Sequence, residues 1–449
     1  MNSNNQPEES FVPVSAGKVR TRLDELVSAT DQWFDNFAPA FDPFRGPGAQ
    51  KREIRSKAFA EAAHLLYVAE HYDGEGPSEL RDLLVRRCND EDFYRQLLRN
   101  PDELTRFGFP LLYVRTIDKL DDDPRRVLDE VIERAASSAA GLPPARQLDF
   151  WHFYRIYGKD DHGIDYQQLL DHGYVDRDLN PASANHHELF GLTHEFLYYH
   201  NLGCKTAAFP DGPLAYEYPA VFTGSILRYM VEGHVDLVTE LLLCGVLQRQ
   251  VSSGFVRFTL GWLLEHVTDD GCLTFPIDDI RALERIVGPD IGVWEGQSRT
   301  WRVNYHPTIA VAILGRVLSD HWSAVRAADT DRSIDYEHER ENLLALGRAF
   351  ASFAEYKLDS GLEHLLAVAD TETAAVYDDV VQHAIRFLES QQRDDGAYGV
   401  WFDEKLTYQE QTQGNAEIRF EEELLAPLSE RCEQVLDAVK ATDESVTRD

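Results

Sequence analysis

The stretch Val235–Arg249, VDLVTELLLCGVLQR, decides the fold. Leu237, Val238, Leu241, Leu242, Leu243, Val246 and Leu247 make it apolar on most sides of a helix. Such a helix needs neighbours all round it, as in the inner layer of a helical protein. Its flanks supply them. Pro219–Glu232 precedes it, and Phe255–His266, Ile280–Val287 and Pro307–Trp322 follow, each with apolar residues at helical spacing.

Further out the pattern is the same. Leu23, Leu26, Val27, Trp33, Phe34 and Phe37 mark a helix over Lys18–Phe37, closed by the turn residues around Asp42-Pro43 and Gly46-Pro47-Gly48. Arg52–His71 is the next helix. Ser78–Cys88, Glu91–Arg99, Asp102–Phe107, Pro110–Lys119, Pro124–Ala139 and Gln147–Tyr157 follow it. A polar break at Ala328–Asp335 precedes Tyr336–Lys357, Glu372–Gln392 and Glu417–Val439. No segment alternates with period two for long, so a sheet has no material. The fold class is all-α.

One repeat suggests how the helices are arranged. Trp262–Gly271 can be laid over Phe387–Gly396, each an aromatic-Leu pair followed by an acidic pair and a Gly read as closing the helix. Stacked hairpins of that kind build an α/α toroid or a helical solenoid of paired helices. The expected organisation is a disordered tail over 1–16, a toroid-like domain over 17–327, a C-terminal helical segment over 328–441 as a candidate to complete it, and a frayed acidic tail over 442–449.

Composition excludes several function classes. The 449 residues carry 44 basic and 78 acidic side chains, a net charge of -34, and only nine of the basic ones are Lys. No basic stripe offers phosphate contacts, so nucleic acid is not an expected partner, and an acidic membrane surface is disfavoured likewise. An acidic surface poor in Lys suits a protein kept soluble in molar salt, where the Debye length falls to roughly 3 Å and self-repulsion fades. Five widely spaced cysteines with no CxxC pair fit reduced thiols. The polar, acidic start and the lack of a long apolar run point to a soluble, cytoplasmic protein.

Candidate chemistry concentrates in Asn185–Cys204, which holds His186, His187, His194 and His200 beside Tyr198 and Tyr199. On a helix over Glu188–Asn201, entered from His187, the residues His187, Gly191, His194, Tyr198 and Asn201 share one face. A polar stripe among Leu189, Phe190, Leu192, Phe196 and Leu197 must face a cavity or a satisfied buried network. The second histidine of interest, His306, precedes Pro307. Proline commonly opens helices, so the His306 ring is expected at a loop-helix junction. His194 and His306, with Tyr198, Tyr305 and Glu195, could supply acid-base groups or metal ligands.

Known templates fail in turn. Neither His187-Glu188 nor His194-Glu195 completes HExxH. Glu61-x-x-His64 lacks the second copy that a carboxylate-bridged di-iron bundle needs, and reads as a solvated helix face. Asp121-Asp122-Asp123-Pro124 reads as a helix N-cap. Asp270, Cys272 and the later His306 form a chemically sensible zinc set, yet Asp270-Gly271 is already explained as a helix cap. Gly-x-Ser-x-Gly and phosphate-cradling Gly loops do not occur.

Two resemblances add to this reading. Gln391-Gln392-Arg393-Asp394-Asp395-Gly396-Ala397-Tyr398-Gly399 resembles the QxxDGxWG-type motif of terpenoid cyclases and protein prenyltransferases, with Tyr398 where Trp is typical, which implies an α/α toroid. More closely, the chain resembles an uncharacterised family of helical domains. Its motifs match Leu192-Thr193-His194-Glu195-Phe196-Leu197-Tyr198, running on to Asn201-Leu202-Gly203, and Tyr305-His306-Pro307-Thr308. Asn201 stands where that family has Asp, which removes a charge there. This resemblance runs from Lys18 to Asp320 and implies a fold and two interesting histidines, but no reaction.

Two classes of function remain. The first is a non-catalytic binding or scaffold protein for a protein partner or a small apolar or peptide ligand, favoured because no catalytic motif survives. The second is a cavity-based enzyme, cyclase- or transferase-like, using His194 and His306. An enzyme predicts that the two histidines converge on one pocket; a scaffold predicts that they lie apart, each bonded to backbone, beside an exposed apolar patch. Cofactor and metal are left open by the sequence.

Overall fold

The computed structural model describes residues 11–392, except 47, 73, 75, 136–141, 160–162, 210–213, 217, 278–279, 289–290, 292–293 and 328–333, together with 430 and 432–434. Among the described residues the regular structure is helical, with one isolated bridge between Val267 and Leu273 and no strand. None of the helices is long and apolar enough to cross a membrane. The chain divides into two compact units. The first comprises 1–177, 187–217 and 233–328, the second 178–186, 218–232 and 329–449.

In chain order the first unit contributes α1 (Val19–Phe37), α2 (Ala49–Tyr72), α3 (Ser78–Cys88), α4 (Glu91–Arg99), α5 (Phe109–Thr116), α6 (Asp122–Ala135), α7 (Pro144–Tyr157) and α8 (Tyr166–Leu170). After α9 (His186–Tyr199), and with α10 (Pro219–Val231) belonging to the second unit, come α11 (Val235–Leu247), α12 (Ser253–Glu265), α13 (Ile280–Val287) and α14 (Gly296–Ala327). Every residue of α11 is buried, as its composition demands. The long α14 packs against α11, α1 and α2.

Helix α14 departs from expectation. It does not open at Pro307 but runs straight through it for 32 residues. Trp301 and Tyr305 explain why: both are buried and their rings stack at 5.0 Å, so the turns before the proline are held by core packing. Pro307 has no N–H for the Val303 carbonyl, a defect worth roughly 3 kcal/mol in an isolated helix. One residue on, Thr308 Oγ1 donates to the Asn304 carbonyl at 2.7 Å. His306 therefore sits in the middle of a helix, beside a break in its hydrogen-bond ladder, rather than at a helix start.

Other expectations are corrected by packing. Residues 11–16, expected to be disordered, are held on α12: Phe11 is buried edge-on to Phe258 at 5.0 Å, and Val14 N donates to the Arg257 carbonyl at 3.1 Å. Gly261 makes this contact possible, since a Cβ there would lie 2.5 Å from Val12 O. Gly271 is not the C-cap of α12, which ends at Glu265 with His266 beyond it. Instead it closes a separate turn, donating to Thr268 O at 2.8 Å with φ of +85°, and its Cα faces the α1 backbone so closely that a Cβ would meet Ala29 O at 2.0 Å. Asp102–Phe107 is no α-helix either. Pro101–Glu103 is a 3-10 turn and Leu104–Gly108 a π-turn, an irregularity that tends to accompany functional sites.

The described part of the second unit holds α10, α15 (Arg340–Ala354), α16 (Leu358–Ala369), α17 (Glu372–Val376) and α18 (Asp378–Ser390). The expected helices Tyr336–Lys357 and Glu372–Gln392 are thus shorter or broken. The second breaks at Tyr377, whose hydroxyl bonds that of buried Tyr336. Arg228 of α10 donates to the Pro181 and Ala184 carbonyls at 2.8 and 2.7 Å. Residues 393–399 of the QxxDGxWG-like segment and most of the expected helix Glu417–Val439 lie outside the described residues.

Candidate functional site

Inside the first unit, α2, α7, α9, α11 and α14 surround a cavity of about 500 Å³. Four of the five residues expected at a site line it: His194 and Tyr198 from α9, Tyr305 and His306 from α14. Glu195 does not. Facing the other way, its carboxylate accepts from Tyr174 N at 2.8 Å and Val175 N at 2.7 Å, tying down the loop after α8. Burial raises the Glu195 pKa to about 7 against those two donors.

The expected stripe on α9 also breaks up. Only His194 and Tyr198 reach the cavity; Gly191 is overlain by the Tyr174 ring, and His187 is exposed. Asn201 lies beyond the helix, buried and with φ of +51°. Its Oδ1 bonds His152 Nε2 at 3.1 Å, while Nδ2 donates to Tyr67 Oη at 2.9 Å and the Cys204 carbonyl at 3.1 Å. An Asp could accept the first bond but not donate the other two.

His306 is the centre of the polar pole. Its Nδ1 lies 3.2 Å from Glu61 Oε2, and its Nε2 3.5 Å from Asp236 Oδ2 and 3.4 Å from Glu240 Oε1. Thr193 Oγ1 donates to Glu240 Oε2 at 2.6 Å, and Lys57 Nζ stands 3.5 Å from Glu61 Oε1. Helix geometry produces the cluster: Asp236 and Glu240 are one turn apart on α11, as are Lys57 and Glu61 on α2. Asp236 and Glu240 are buried, and Asp236 Oδ1 makes no hydrogen bond.

Three carboxylates around one imidazole cannot all behave ordinarily. Burial disfavours the His306 imidazolium, but Asp236, Glu61 and Glu240 outweigh it and hold its pKa well above the usual range. Glu61 is driven up by burial yet ends well below an ordinary carboxyl because of Lys57 and His306. Asp236 and Glu240 split. Burial, with two carboxylates nearby, raises Asp236; for Glu240 burial is overcome by the His306 hydrogen bond and by His194, and its pKa falls. Neighbouring carboxyls pushed apart in this way divide acid and base roles between them.

A second layer supports the α9 side. Tyr198 hydrogen-bonds Asp149, and burial followed by that carboxylate pushes its phenol well above its usual range. The Tyr198 ring stacks on His152 at 4.7 Å and on His194 at 5.8 Å. His64, read from sequence as part of a solvated face, stacks on Phe109 at 3.7 Å and lines the cavity; burial lowers its pKa to about 4. Glu61 turns inward with it. The lining also has an apolar part, with half-buried Ile54, Phe190, Ile286, Val287 and Val303, and the guanidinium-bearing Arg106, Arg146 and Arg302 line it as well.

The Asp270, Cys272 and His306 set does not assemble. Cys272 is buried under Thr308, whose Oγ1 lies 3.9 Å from its Sγ, while Asp270 accepts from Thr268 Oγ1 and His306 turns to Asp236 and Glu240. Sequence reasoning missed Asp236, Glu240 and Asp149, although Asp236 and Glu240 are the acidic positions of the most apolar helix. No curated protein and no solved structure is similar to this chain at a significant level. Residues 27–315, which run from within α1 to within α14 and take in every cavity-lining residue, match the domain of unknown function DUF6895, and the chain belongs to that family.

Proposed function

We propose that the first unit is a cavity-based enzyme performing acid-base chemistry on a small ligand with an apolar body and a polar end. One observation carries the reading: His194 and His306, far apart in sequence, meet in one cavity together with Glu61, Asp236 and Glu240. A scaffold gives no reason for that meeting. The size suits a small molecule, and a mostly apolar lining with a few convergent polar groups is the usual form of such sites. His306 lies within reach of Asp236 and Glu240 at the polar end, and His194, lining the same cavity, supplies a second imidazole for proton transfer. Ile54, Phe190 and Val303 of the lining offer apolar surface to the body of the ligand.

An untargeted assay tests this without a named substrate. The purified chain is incubated in high-salt buffer with the small-molecule fraction of a cell extract, and the mixture is followed by mass spectrometry. The expected result is a compound consumed by the wild type and spared by folded His306→Gln and His194→Gln variants. Consumption of nothing, or equal consumption by the variants, returns the protein to the binding class.

A further inference from the structure

We propose that Asp236, Glu240 and His306 form a binding site for one divalent transition-metal ion, open to the cavity and braced from behind by Glu61. This rests on the cavity reading above and specifies what its polar pole holds. The ligand atoms of the three residues lie within 4.8 Å of one another. His306 Nε2 stands 3.4 Å from Glu240 Oε1 and 3.5 Å from Asp236 Oδ2. Two ligands about 2.1 Å from a tetrahedral metal are about 3.4 Å apart, so both contacts leave room for an ion between His306 and its two carboxylates.

An independent observation agrees. Asp236 is 6% exposed, yet its Oδ1 has no hydrogen-bond partner, which leaves a buried carboxylate oxygen beside the cavity with its coordinating capacity unused. The remaining bonds orient the ligands. Thr193 holds the far oxygen of Glu240, and Glu61 takes Nδ1 of His306, leaving Nε2 for the metal. A carboxylate behind a ligating imidazole is a common arrangement in metal proteins. Charge points the same way: with Lys57, a dication that displaces the His306 proton balances Glu61, Asp236 and Glu240.

The ligand set selects the ion. Two carboxylates and an imidazole suit Mn²⁺, Fe²⁺, Co²⁺ or Zn²⁺, while Mg²⁺ and Ca²⁺ favour all-oxygen shells. Three protein ligands leave a position for a small molecule from the cavity.

The full chain, stripped with chelator and returned to chelator-free buffer in molar KCl, is titrated with Mn²⁺ and read by electron paramagnetic resonance. The expected result is one tight Mn²⁺ per chain with spin-echo modulation from a single imidazole nitrogen. Asp236→Asn and Glu240→Gln each remove that tight class, while Glu61→Gln keeps the stoichiometry and weakens binding by about 10–100-fold. Tight Mn²⁺ without nitrogen modulation in the wild type overturns the site, whatever the variants do. So does the absence of a saturable one-per-chain class, or unchanged binding in folded Asp236→Asn. A chain that consumes a compound while binding no metal refutes the metal site alone. A chain that binds Mn²⁺ as described and consumes nothing refutes the enzyme reading alone.

Discussion

Lowering the pH from 7 to 4 should destabilise the first unit through His152, and the size of the effect follows from its surroundings. The ring is 1% exposed, bonds Asn201 Oδ1 through Nε2, and stacks on Tyr198. Burial, reinforced by nearby His64, lowers its pKa from 6.5 to about 3. In the unfolded chain the imidazole takes a proton below 6.5; in the folded chain it does so only near 3. The unfolded state therefore binds more protons across that window, and stability is lost as the pH falls through it. At 1.36 kcal/mol per unit, the 2.5 units from pH 6.5 to pH 4 amount to about 3 kcal/mol. His152→Gln keeps a donor for Asn201 but cannot titrate. Its stacking loss lowers stability at both pH values, so the comparison is the difference between them. Urea unfolding followed by tryptophan fluorescence reads mainly the first unit, because six of the seven tryptophans, Trp33, Trp151, Trp262, Trp294, Trp301 and Trp322, belong to it. The wild type should lose about 3 kcal/mol more than His152→Gln between pH 7 and pH 4. Equal losses would refute the argument, as would an imidazole nitrogen resonance of His152 titrating near 6.5.

Other perturbations separate structure from site. Glu195→Gln should cost about 1–2 kcal/mol, since an amide cannot accept from both Tyr174 N and Val175 N, while Mn²⁺ stoichiometry stays at the wild-type value; lost metal binding would contradict the structural role of Glu195. Gly271→Ala combines a left-handed φ with a backbone clash against Ala29 O, and a loss of at least about 2 kcal/mol is expected in thermal unfolding; a neutral result would show that the turn moves. Asp31→Ala removes the carboxylate that holds the buried Arg316 guanidinium at 2.8 and 2.6 Å; it should cost about 3–5 kcal/mol, and Arg316→Met in the same chain should recover much of that. With a net charge of -34, the melting temperature should rise steadily from 0.1 to about 2 M KCl, and a flat response would remove the high-salt reading of the composition.

The helices were legible because their signal is local. Val235–Leu247 is buried on every side as its apolar pattern requires, and Ser78–Cys88 and Glu91–Arg99 have the bounds their spacing predicts. Boundaries failed where tertiary packing overrode a local rule. Pro307 should open a helix, but Trp301 and Tyr305 bury the turn before it; Phe11 and Val14 look dispensable until α12 presents Gly261 beneath them. Of the site, the two histidines and two tyrosines are legible because they crowd an apolar stretch or border a motif. Glu61 and His64 are not, since an exposed and an inward-turned Glu-x-x-His read alike on one helix. Asp236 and Glu240 carry a readable signal, two carboxylates one turn apart in the most apolar helix, which is masked when that helix is taken as core alone.

That signal bears on why the cluster exists. Asp236 lies in the first turn of α11, where a carboxylate is favoured by the helix dipole, so part of its presence has a structural account. Glu240 has none of that kind. It stands mid-helix, one turn further in, with apolar Leu241, Leu242 and Leu243 following it. Taking an ion out of water costs several kcal/mol, and well-packed apolar residues in place of a buried ionic group are often neutral or stabilising. Leu at this position would continue the α11 pattern and complete the packing against α14. A fold selected for stability alone would lose nothing by that exchange, and it would also dispense with the break that Pro307 makes beside His306. Two separate costs, one on each of two packed helices, meet within 3.4 Å at the Glu240 and His306 contact. Their coincidence in the lining of one cavity is what a site requires and what a scaffold core would avoid.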